Sequence, residues 1–137
     1  MVRLIDGLTG TETKIEELPV IARKISKLKG VKAVYLFGSQ ATGKTHQKSD
    51  IDLCIIGEKF EDDELEGRLL EFITDNLDVV YFWRLPLIFQ FRVFNDGRAL
   101  IIKDKNFILK IKSLILRKYI DFLPAINKFV SRTLNVR

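Results

Sequence analysis

Two signatures for handling nucleotides overlap in one stretch of the sequence, LFGSQATGKTHQKSDIDL, at residues 36–53. In the first, Gly38 is followed after four residues by GKT at 43–45, which satisfies the phosphate-loop pattern G-x-x-x-x-G-K-[ST]. In the second, Gly38 and Ser39 are followed after ten residues by DID at 50–52, which holds two carboxylates separated by one residue. The two patterns require different folds, so the surrounding elements decide between them.

The phosphate-loop pattern requires a strand before it and a helix directly after it, so that helix amides meet the phosphates. The run VKAVYLF at 31–37 predicts the strand. After Thr45, however, only five polar residues (46–50) precede the apolar run IDLCII at 51–56, which is typical of a second strand. A crossover helix between parallel strands takes about a dozen residues. The sequence therefore disfavours a phosphate loop.

The carboxylate pattern makes a demand that the sequence meets. Residues two apart in a strand point to the same face, so Asp50 and Asp52 project together. The opposite face of that strand carries Ile51, Leu53 and Ile55. Two carboxylates on one face repel unless a cation lies between them, and hard oxygen ligands favour Mg²⁺ or Mn²⁺. Asp78, at the start of the next predicted strand, is a candidate third carboxylate.

The Gly38-Ser39 pair at the end of the preceding strand suits a phosphate ligand. A glycine there lets the backbone approach a ligand closely, and the Ser39 amide and hydroxyl can donate to phosphate oxygens. Taken singly, a D-x-D motif, a Gly-Ser turn and an Asp at a strand entry are all ordinary features. In combination they predict a metal-dependent phosphoryl-transfer site.

The elements that position these residues follow from hydrophobic periodicity and from Gly and Pro punctuation. Together they predict a single α/β (α+β) domain over residues 1–137, without linkers. The predicted elements are a helix from about Pro19 to Leu28, strands at 31–37, 51–56, 77–83 and 98–102, helices at about 61–76 and 86–95, a helix from its N-cap Asp104 to a break or kink at Pro124, and a last helical segment at about 124–135.

The single cysteine, Cys54, excludes an intrachain disulfide and is predicted to be a buried, unreactive thiol. That cysteine usage fits a reducing cytoplasm. The N-terminal stretch MVRLIDGLTGTETK is too polar for a signal peptide. No apolar stretch approaches the roughly 18 residues of a membrane span. We therefore expect a cytoplasmic protein.

Positive charge is concentrated at the C-terminal end. Residues 103–137 hold nine Lys or Arg and two Asp, a net charge of +7, so that residues 1–102 carry −2. Apolar residues at helical spacing alternate with these cations, which indicates either a helix packed on the core with a solvated basic face or a docking surface for an acidic partner. We expect no direct nucleic-acid binding, because no reading motif with interleaved aromatic residues is present.

The segment LFGSQATGKTHQKSDIDL resembles the G-S-x10-D-x-D signature of the minimal nucleotidyltransferases of the polymerase-β superfamily. The size of the chain and its later segments narrow the resemblance to the antitoxins of HEPN/MNT toxin–antitoxin pairs, the MntA-like adenylyltransferases. The matching segments are VYLFGS, SDIDL, DVVYFWRLPLIFQFRVFNDGRALI and KYIDFLPAINKF, so the resemblance covers about residues 31–130.

The resemblance implies a nucleotidyltransferase fold, with a mixed sheet of about four strands flanked by helices and a helical C-terminal segment at about 104–135. It also implies Mg²⁺-dependent transfer of AMP from ATP to a hydroxyl, expected on Tyr, of a partner HEPN ribonuclease toxin. By position, Gly38 and Ser39 would hold the triphosphate. Asp50 and Asp52 would bind the metal, and Asp78 would bind it on the acceptor side and help to deprotonate the hydroxyl.

One position departs from the pattern of the family. Members often read G-S-x-A-R-G, whereas Thr42 occupies the position of the Arg here. Lys44 is the candidate replacement cation, although a lysine cannot make the bidentate contact of an arginine. Ser49, in the same loop, is a further candidate contact to the nucleotide.

Two other functions remain open on the sequence alone. The chain could be an antitoxin that neutralises its partner by binding, with a weak or vestigial nucleotide site. It could also adenylylate a small hydroxylated molecule of the aminoglycoside type, although such enzymes usually carry an additional substrate domain.

Overall fold

Four strands form one mixed sheet in the computed structural model, which describes residues 13–38 and 50–134. They are β1 (Val31–Phe37), β2 (Ile51–Gly57), β3 (Leu77–Tyr81) and β4 (Arg98–Ile102), in the order β3-β2-β1-β4. β1 pairs antiparallel with both β2 and β4, whereas β2 pairs parallel with β3. The sheet is therefore mixed, as the sequence predicted.

The direction of β2 excludes the phosphate-loop interpretation. β1 and β2 are direct neighbours and run antiparallel. A phosphate loop leads from a strand into a crossover helix, and such a unit returns to the sheet as a parallel strand. The chain between residues 37 and 51 therefore connects an antiparallel pair, which is compatible with the carboxylate pattern.

Four α-helices flank the sheet among the described residues. They are α1 (Leu18–Ser26), α2 (Asp63–Leu69), α3 (Leu87–Asp96) and α4 (Lys105–Leu134), with 3-10 turns at Ile15–Glu17, Leu70–Phe72 and Phe82–Arg84. Polar side chains cap two of the helices. The Leu65 N–H donates to Asp62 Oδ1 over 3.1 Å at the start of α2, and the Phe107 N–H donates to Asp104 Oδ1 over 3.0 Å at the start of α4.

The two faces of the sheet bury separate apolar clusters, because alternate strand residues point to opposite sides. One cluster joins α1 and α2 to the face that carries Ile51, Leu53 and Ile55. The other joins α3 and α4 to the face that carries Cys54 and Ile56. Cys54 is fully buried, as predicted, and burial raises the pKa of its thiol above the ordinary value.

Two predicted elements are shorter in the structure. The helix expected at 61–76 ends at Leu69, because a 3-10 turn follows and Ile73 is already extended ahead of β3. The strand expected at 77–83 ends at Tyr81, where the chain turns to bury Phe82 completely and to let the Trp83 indole N–H donate to the Gly57 carbonyl over 3.0 Å. Tertiary contacts of these aromatic residues override the local strand pattern.

Pro124 was expected to break or kink the helix, and the break was wrong, since α4 continues through it to Leu134. A proline inside a helix removes one backbone donor and leaves the carbonyl four residues earlier without its partner. That carbonyl belongs to Ile120, which is half exposed, so water is available to it. Of the helices that the structure describes, none combines the length and the apolar character that crossing a bilayer requires.

Candidate active site

The predicted carboxylates meet at the end of the sheet where β1 ends and where β2 and β3 begin. β1 ends at Phe37, which pairs with Asp52 near the start of the antiparallel β2. Asp52 in turn pairs with Asp78 near the start of the parallel β3. We call the group of Gly38, Asp50, Asp52 and Asp78 the carboxylate edge. The topology brings these residues together although 25 residues of sequence lie between Asp52 and Asp78.

Asp52 and Asp78 lie on the same face of the sheet. Their strand neighbours Leu53 and Val79 belong to the cluster under α1 and α2. Side chains alternate along a strand, so both aspartates point to the opposite side, which α3 and α4 cover further along. Partners in register on neighbouring strands are close enough for their side chains to interact. The register thus brings Asp78, the candidate third carboxylate, beside Asp52.

Gly38 lies against the carboxylate of Asp52. Its φ of +78° is in the left-handed region, which favours glycine. A Cβ added at this position would lie only 2.8 Å from Asp52 Oδ2. The glycine is therefore required both for the turn at the end of β1 and for room beside the carboxylate.

The charge of Asp52 is disfavoured by its surroundings. Partial burial raises the pKa of its carboxyl above the ordinary value, and the nearby carboxylates of Asp78 and Asp50 raise it further. Across residues 13–38 and 50–134, none of these three side chains forms an ion pair with a Lys or Arg. The described part of the edge thus holds negative charge without a compensating cation.

Asp78 and Asp50 are both exposed to solvent. Asp78 Oδ1 accepts a hydrogen bond from the Val79 N–H over 2.9 Å, and no residue within 13–38 and 50–134 donates a hydrogen bond to Oδ2. Asp50 lies one residue before β2 begins. The edge therefore combines one half-buried carboxylate with two that a ligand in solvent can reach.

Comparison with known proteins places this arrangement in a family. The model of the family described as "Polymerase beta, Nucleotidyltransferase" matches residues 20–106, which is more than half of the chain and contains the whole carboxylate edge. The chain belongs to the polymerase-β nucleotidyltransferase family. The resemblance inferred from the sequence is thereby confirmed.

A curated relative of this nucleotidyltransferase is named "Probable protein adenylyltransferase MntA", from Haemophilus influenzae. The two are 33% identical over 92 residues, which cover 67% of this chain and 78% of the relative. Two solved structures share the fold. A toxin–antitoxin crystal structure with AMP-PNP matches with a TM-score of 0.68 at 20% identity, covering 88% of this chain and 99% of that one. A complex of tri-AMPylated Shewanella oneidensis HEPN toxin with MNT antitoxin matches with a TM-score of 0.62 at 15% identity, covering 87% and 94%.

The carboxylates of this nucleotidyltransferase fit a divalent cation whose remaining ligands come from the substrate and water. Within residues 13–38 and 50–134, no group of three or more His, Cys, Asp or Glu side chains is arranged to hold a metal ion by itself. Mg²⁺, however, is usually held by one or two carboxylates together with substrate phosphates and water. The pair of Asp52 and Asp78 meets that requirement, and their mutual repulsion is what a cation would relieve. Metal binding by Asp50, Asp52 and Asp78 stays a prediction.

Three predicted nucleotide contacts, Ser39, Lys44 and Ser49, lie outside the described residues, and so does Thr42 at the position of the family arginine. Gly38 is the described member of the predicted phosphate-binding set. Its position beside Asp52 supports the prediction that phosphate and metal would be bound at one place.

Sequence patterns did not predict the pairing of Asn76 and Thr13, which hydrogen bond to each other next to the carboxylate edge. Asn76 lies in a polar turn and resembles any turn residue in the sequence. Its partner Thr13 is 63 positions away in the sequence, and no local pattern predicts such a pairing.

A second surface of this nucleotidyltransferase lies along α4. Its buried residues, Ile108, Ile111 and Ile115, all fall in the first half of the helix. Tyr119 then stacks on Phe91 of α3, with ring centroids 3.8 Å apart. From Leu116 onward the helix exposes large apolar side chains between basic ones. We define the distal α4 surface by its exposed apolar residues Leu116, Ile120, Phe122, Phe129, Val130 and Leu134.

This distribution bears on the two interpretations of the basic segment. The first half of α4 packs on the core through residues such as Ile111. Phe122 and Phe129, which share the predicted helical spacing, are instead 45% and 69% exposed. Contiguous apolar side chains in water are typical of an interaction surface. Core packing alone therefore does not account for the second half of the helix.

Proposed function

We propose that this nucleotidyltransferase is an antitoxin that transfers AMP from ATP to a tyrosine hydroxyl of a cognate HEPN toxin and so inactivates it. The observation that carries the proposal is the in-register pair of Asp52 and Asp78, with Gly38 against the first carboxylate. The names of the relatives give the acceptor class, since one is a probable protein adenylyltransferase and another is an MNT antitoxin bound to a tri-AMPylated HEPN toxin.

Each residue of the carboxylate edge has a role in this proposal. Asp50 and Asp52 hold Mg²⁺, or Mn²⁺, which supplies positive charge to the triphosphate. Gly38 and Ser39 receive the phosphates with backbone amides and a hydroxyl, because the turn at Gly38 leaves no side chain in the way. Lys44 and Ser49 are further contacts to the nucleotide. Asp78 faces the acceptor, and its Oδ2, the oxygen that does not accept from Val79, accepts the proton of the attacking hydroxyl.

The reaction is an in-line displacement at the α-phosphorus of ATP. The acceptor oxygen forms a new bond to that phosphorus, the bond to the bridging oxygen breaks, and pyrophosphate leaves. The hydroxyl proton passes to Asp78. The chain contributes mainly by holding the two oxygens in line and by compensating charge, which is the usual basis of phosphoryl-type transfer.

Mass spectrometry of the toxin provides the test. We expect the purified protein, Mg²⁺ and ATP to add the mass of one or more AMP groups to its co-encoded neighbour. Asp52→Asn and Asp78→Asn should each lower the rate by at least about a hundredfold. Glu71→Gln is the matched control, since it also removes one exposed negative charge but lies outside the carboxylate edge. An unmodified neighbour in the presence of the wild-type protein would refute the proposal.

Neutralisation by binding alone is a second candidate, and the distal α4 surface favours it. That surface offers apolar contacts and the cations Arg117, Lys118, Lys128 and Arg132 to an acidic partner, whether or not AMP is transferred. Co-expression with the toxin separates the two functions, because Asp52→Asn leaves α4 untouched. If Asp52→Asn protects cells as fully as the wild type does, binding is the mechanism. If protection is lost while the complex still forms, AMP transfer is the mechanism.

A further inference from the structure

We infer that Asn76 is a positioning residue for the carboxylate edge and that it acts by joining the segment before α1 to the start of β3. The inference rests on the proposed function for its kinetic consequence, but its structural part stands on hydrogen bonds alone. We call the side-chain hydrogen bonds that link Thr13, Thr74 and Asn76 the Asn76 bridge.

The Asn76 bridge uses both ends of the side-chain amide. The Thr13 N–H donates to Asn76 Oδ1 over 2.7 Å, and Asn76 Nδ2 donates to the Thr13 carbonyl over 2.7 Å. The side chain thus satisfies the donor and the acceptor of one peptide residue, much as a neighbouring strand would. Thr13 is only 6% exposed, so an unpaired backbone group there would be costly.

Two threonine hydroxyls complete the bridge. Thr74 Oγ1 donates to Asn76 Oδ1 over 3.2 Å and lies 2.9 Å from Thr13 Oγ1. A hydroxyl has one hydrogen, and that of Thr74 is directed to Asn76, so Thr13 is the donor in the second contact. The Thr74 N–H also donates to the Leu77 carbonyl over 3.0 Å, which closes the turn that leads into β3. Each side-chain hydrogen bond of this network thereby has a defined donor and a defined acceptor.

The backbone of Asn76 connects this network to the carboxylates. Its carbonyl accepts a hydrogen bond from the Ile51 N–H over 2.6 Å. Ile51 stands between Asp50 and Asp52, and Asn76 is two residues before Asp78. The bond between Ile51 and Asn76 therefore lies beside the register pair of Asp52 and Asp78 and helps to set their separation. A rotation of the turn at Asn76 would displace one carboxylate relative to the other.

Such displacement affects rate more than folding. Groups that orient metal-binding or reacting side chains, without touching substrate, commonly change affinity or activity by about 10–100-fold when they are removed. The two apolar clusters contain none of Thr13, Thr74 and Asn76, so the cost of unpaired groups at Thr13 falls on the segment before α1. Loss of the Asn76 bridge should therefore loosen the carboxylate edge while the two apolar clusters remain.

The test compares Asn76→Ala with Gln90→Ala. Gln90 is a matched control because its side-chain amide is also hydrogen bonded, with Nε2 donating to the Phe82 carbonyl over 3.2 Å, but it lies on α3 away from the carboxylate edge. We expect Asn76→Ala to speed hydrogen exchange of the Ile51 amide at least about tenfold in protein without nucleotide or metal. It should also lower kcat for AMP transfer about tenfold, with little change in KM for the toxin. Gln90→Ala should change neither.

Thr74→Val keeps the test decisive if Asn76→Ala does not fold. It removes the hydroxyl contacts but keeps the two bonds between Asn76 and Thr13, so a smaller change in the same direction is expected for both readouts. Unchanged Ile51 exchange in Asn76→Ala and Thr74→Val, or an equal loss of kcat in Gln90→Ala, would overturn the inference. If the wild-type protein transfers no AMP, the proposed function fails, and exchange of the Ile51 amide still decides whether the bridge holds the edge.

Discussion

Gly38 and Asp52 are in such close contact that a single methyl group at the glycine would meet the carboxylate oxygen at 2.8 Å. The contact joins the end of β1, where the turn predicted to bind phosphate begins, to the half-buried carboxylate at the start of β2. The positions of the turn and the carboxylate are therefore coupled, and a change in one is transmitted to the other.

Gly38→Ala should damage both stability and activity. The left-handed φ of Gly38 costs an L-residue roughly 1–2 kcal/mol, and the added Cβ must also displace Asp52. We expect a lower urea midpoint and a loss of AMP transfer of at least about tenfold. Gly67→Ala is the control, because nothing lies within 4 Å of its added Cβ and it is inside α2. There the substitution should stabilise by roughly 0.5–1 kcal/mol. Equal behaviour of the two variants would contradict the proposed contact.

Asp52→Asn should stabilise the metal-free protein at neutral pH while it abolishes AMP transfer. The pKa of Asp52 is raised in the folded state, so the folded protein binds this proton more tightly than the unfolded chain does. The carboxylate therefore lowers the free energy of unfolding above its raised pKa, and this penalty disappears as pH falls toward the ordinary value of 3.8. Because the side chain is partly exposed, the effect is screened to at most about 1 kcal/mol.

Urea unfolding of the wild type and Asp52→Asn, from about pH 7 down to about pH 4, measures this effect. Carboxylates away from the carboxylate edge titrate in both proteins and cancel in the comparison. We expect the advantage of the variant to shrink as pH falls. An advantage that does not change with pH, or a variant less stable at neutral pH, would mean that partial burial and the neighbouring charges do not oppose ionisation of Asp52.

Replacing Phe122 and Phe129 together by Ser should weaken binding to the toxin without unfolding the protein. Both side chains are largely exposed, so stability should change by less than about 0.5 kcal/mol. If the distal α4 surface contacts the partner, the affinity should fall at least about tenfold, because large aromatic side chains commonly carry much of the binding energy. Titration calorimetry with the purified toxin gives the affinity.

Leu70→Ser serves as the matched control for this double variant. Leu70 is 62% exposed, but it follows α2 and lies outside the distal α4 surface. Toxin binding should be unchanged by this substitution. An equal effect of both changes would show that exposed apolar area in general, and not the distal α4 surface, determines the affinity.

Pro124→Ala should strengthen the second half of α4 locally. A proline inside a helix costs about 3 kcal/mol relative to alanine through the lost hydrogen bond and the clash with the preceding turn. The buried residues of α4 end at Ile115, so this cost is confined to a part of the helix that opens separately from the core. Hydrogen exchange should slow in peptides covering 117–134, while the thermal midpoint stays the same. A shift of the midpoint by several degrees would show that this part unfolds together with the core.

Strands and caps were predictable where the signal is local. The run Val31–Phe37 and the strand Arg98–Ile102 were predicted with their observed bounds, and Asp104 caps α4 as expected. The shared face of Asp52 and Asp78 followed from the two-residue period of strands, once the strands were placed side by side.

Long-range contacts were not predictable in the same way. Residues 74–76, at the end of the predicted helix, instead form a turn. The Asn76 side chain in this turn hydrogen bonds to the backbone of Thr13, which is about sixty residues away in sequence. Burial of Phe82 ends β3 early for a similar reason. At Pro124 the local rule was misleading, because solvent can satisfy a carbonyl that the helix leaves unpaired.

The lone cysteine of this chain gives every variant above an internal reporter. Cys54 is fully enclosed in the second strand from the sheet edge, and its thiol resists ionisation. Thiol-modifying reagents react with the ionised, accessible form, so they label this position only when the sheet opens. The rate of labelling therefore measures opening of the sheet at one atom, without a dye and without an engineered site. The same property leaves the surface free of competing thiols, so that a cysteine introduced at Phe129 would be modified selectively in the folded protein.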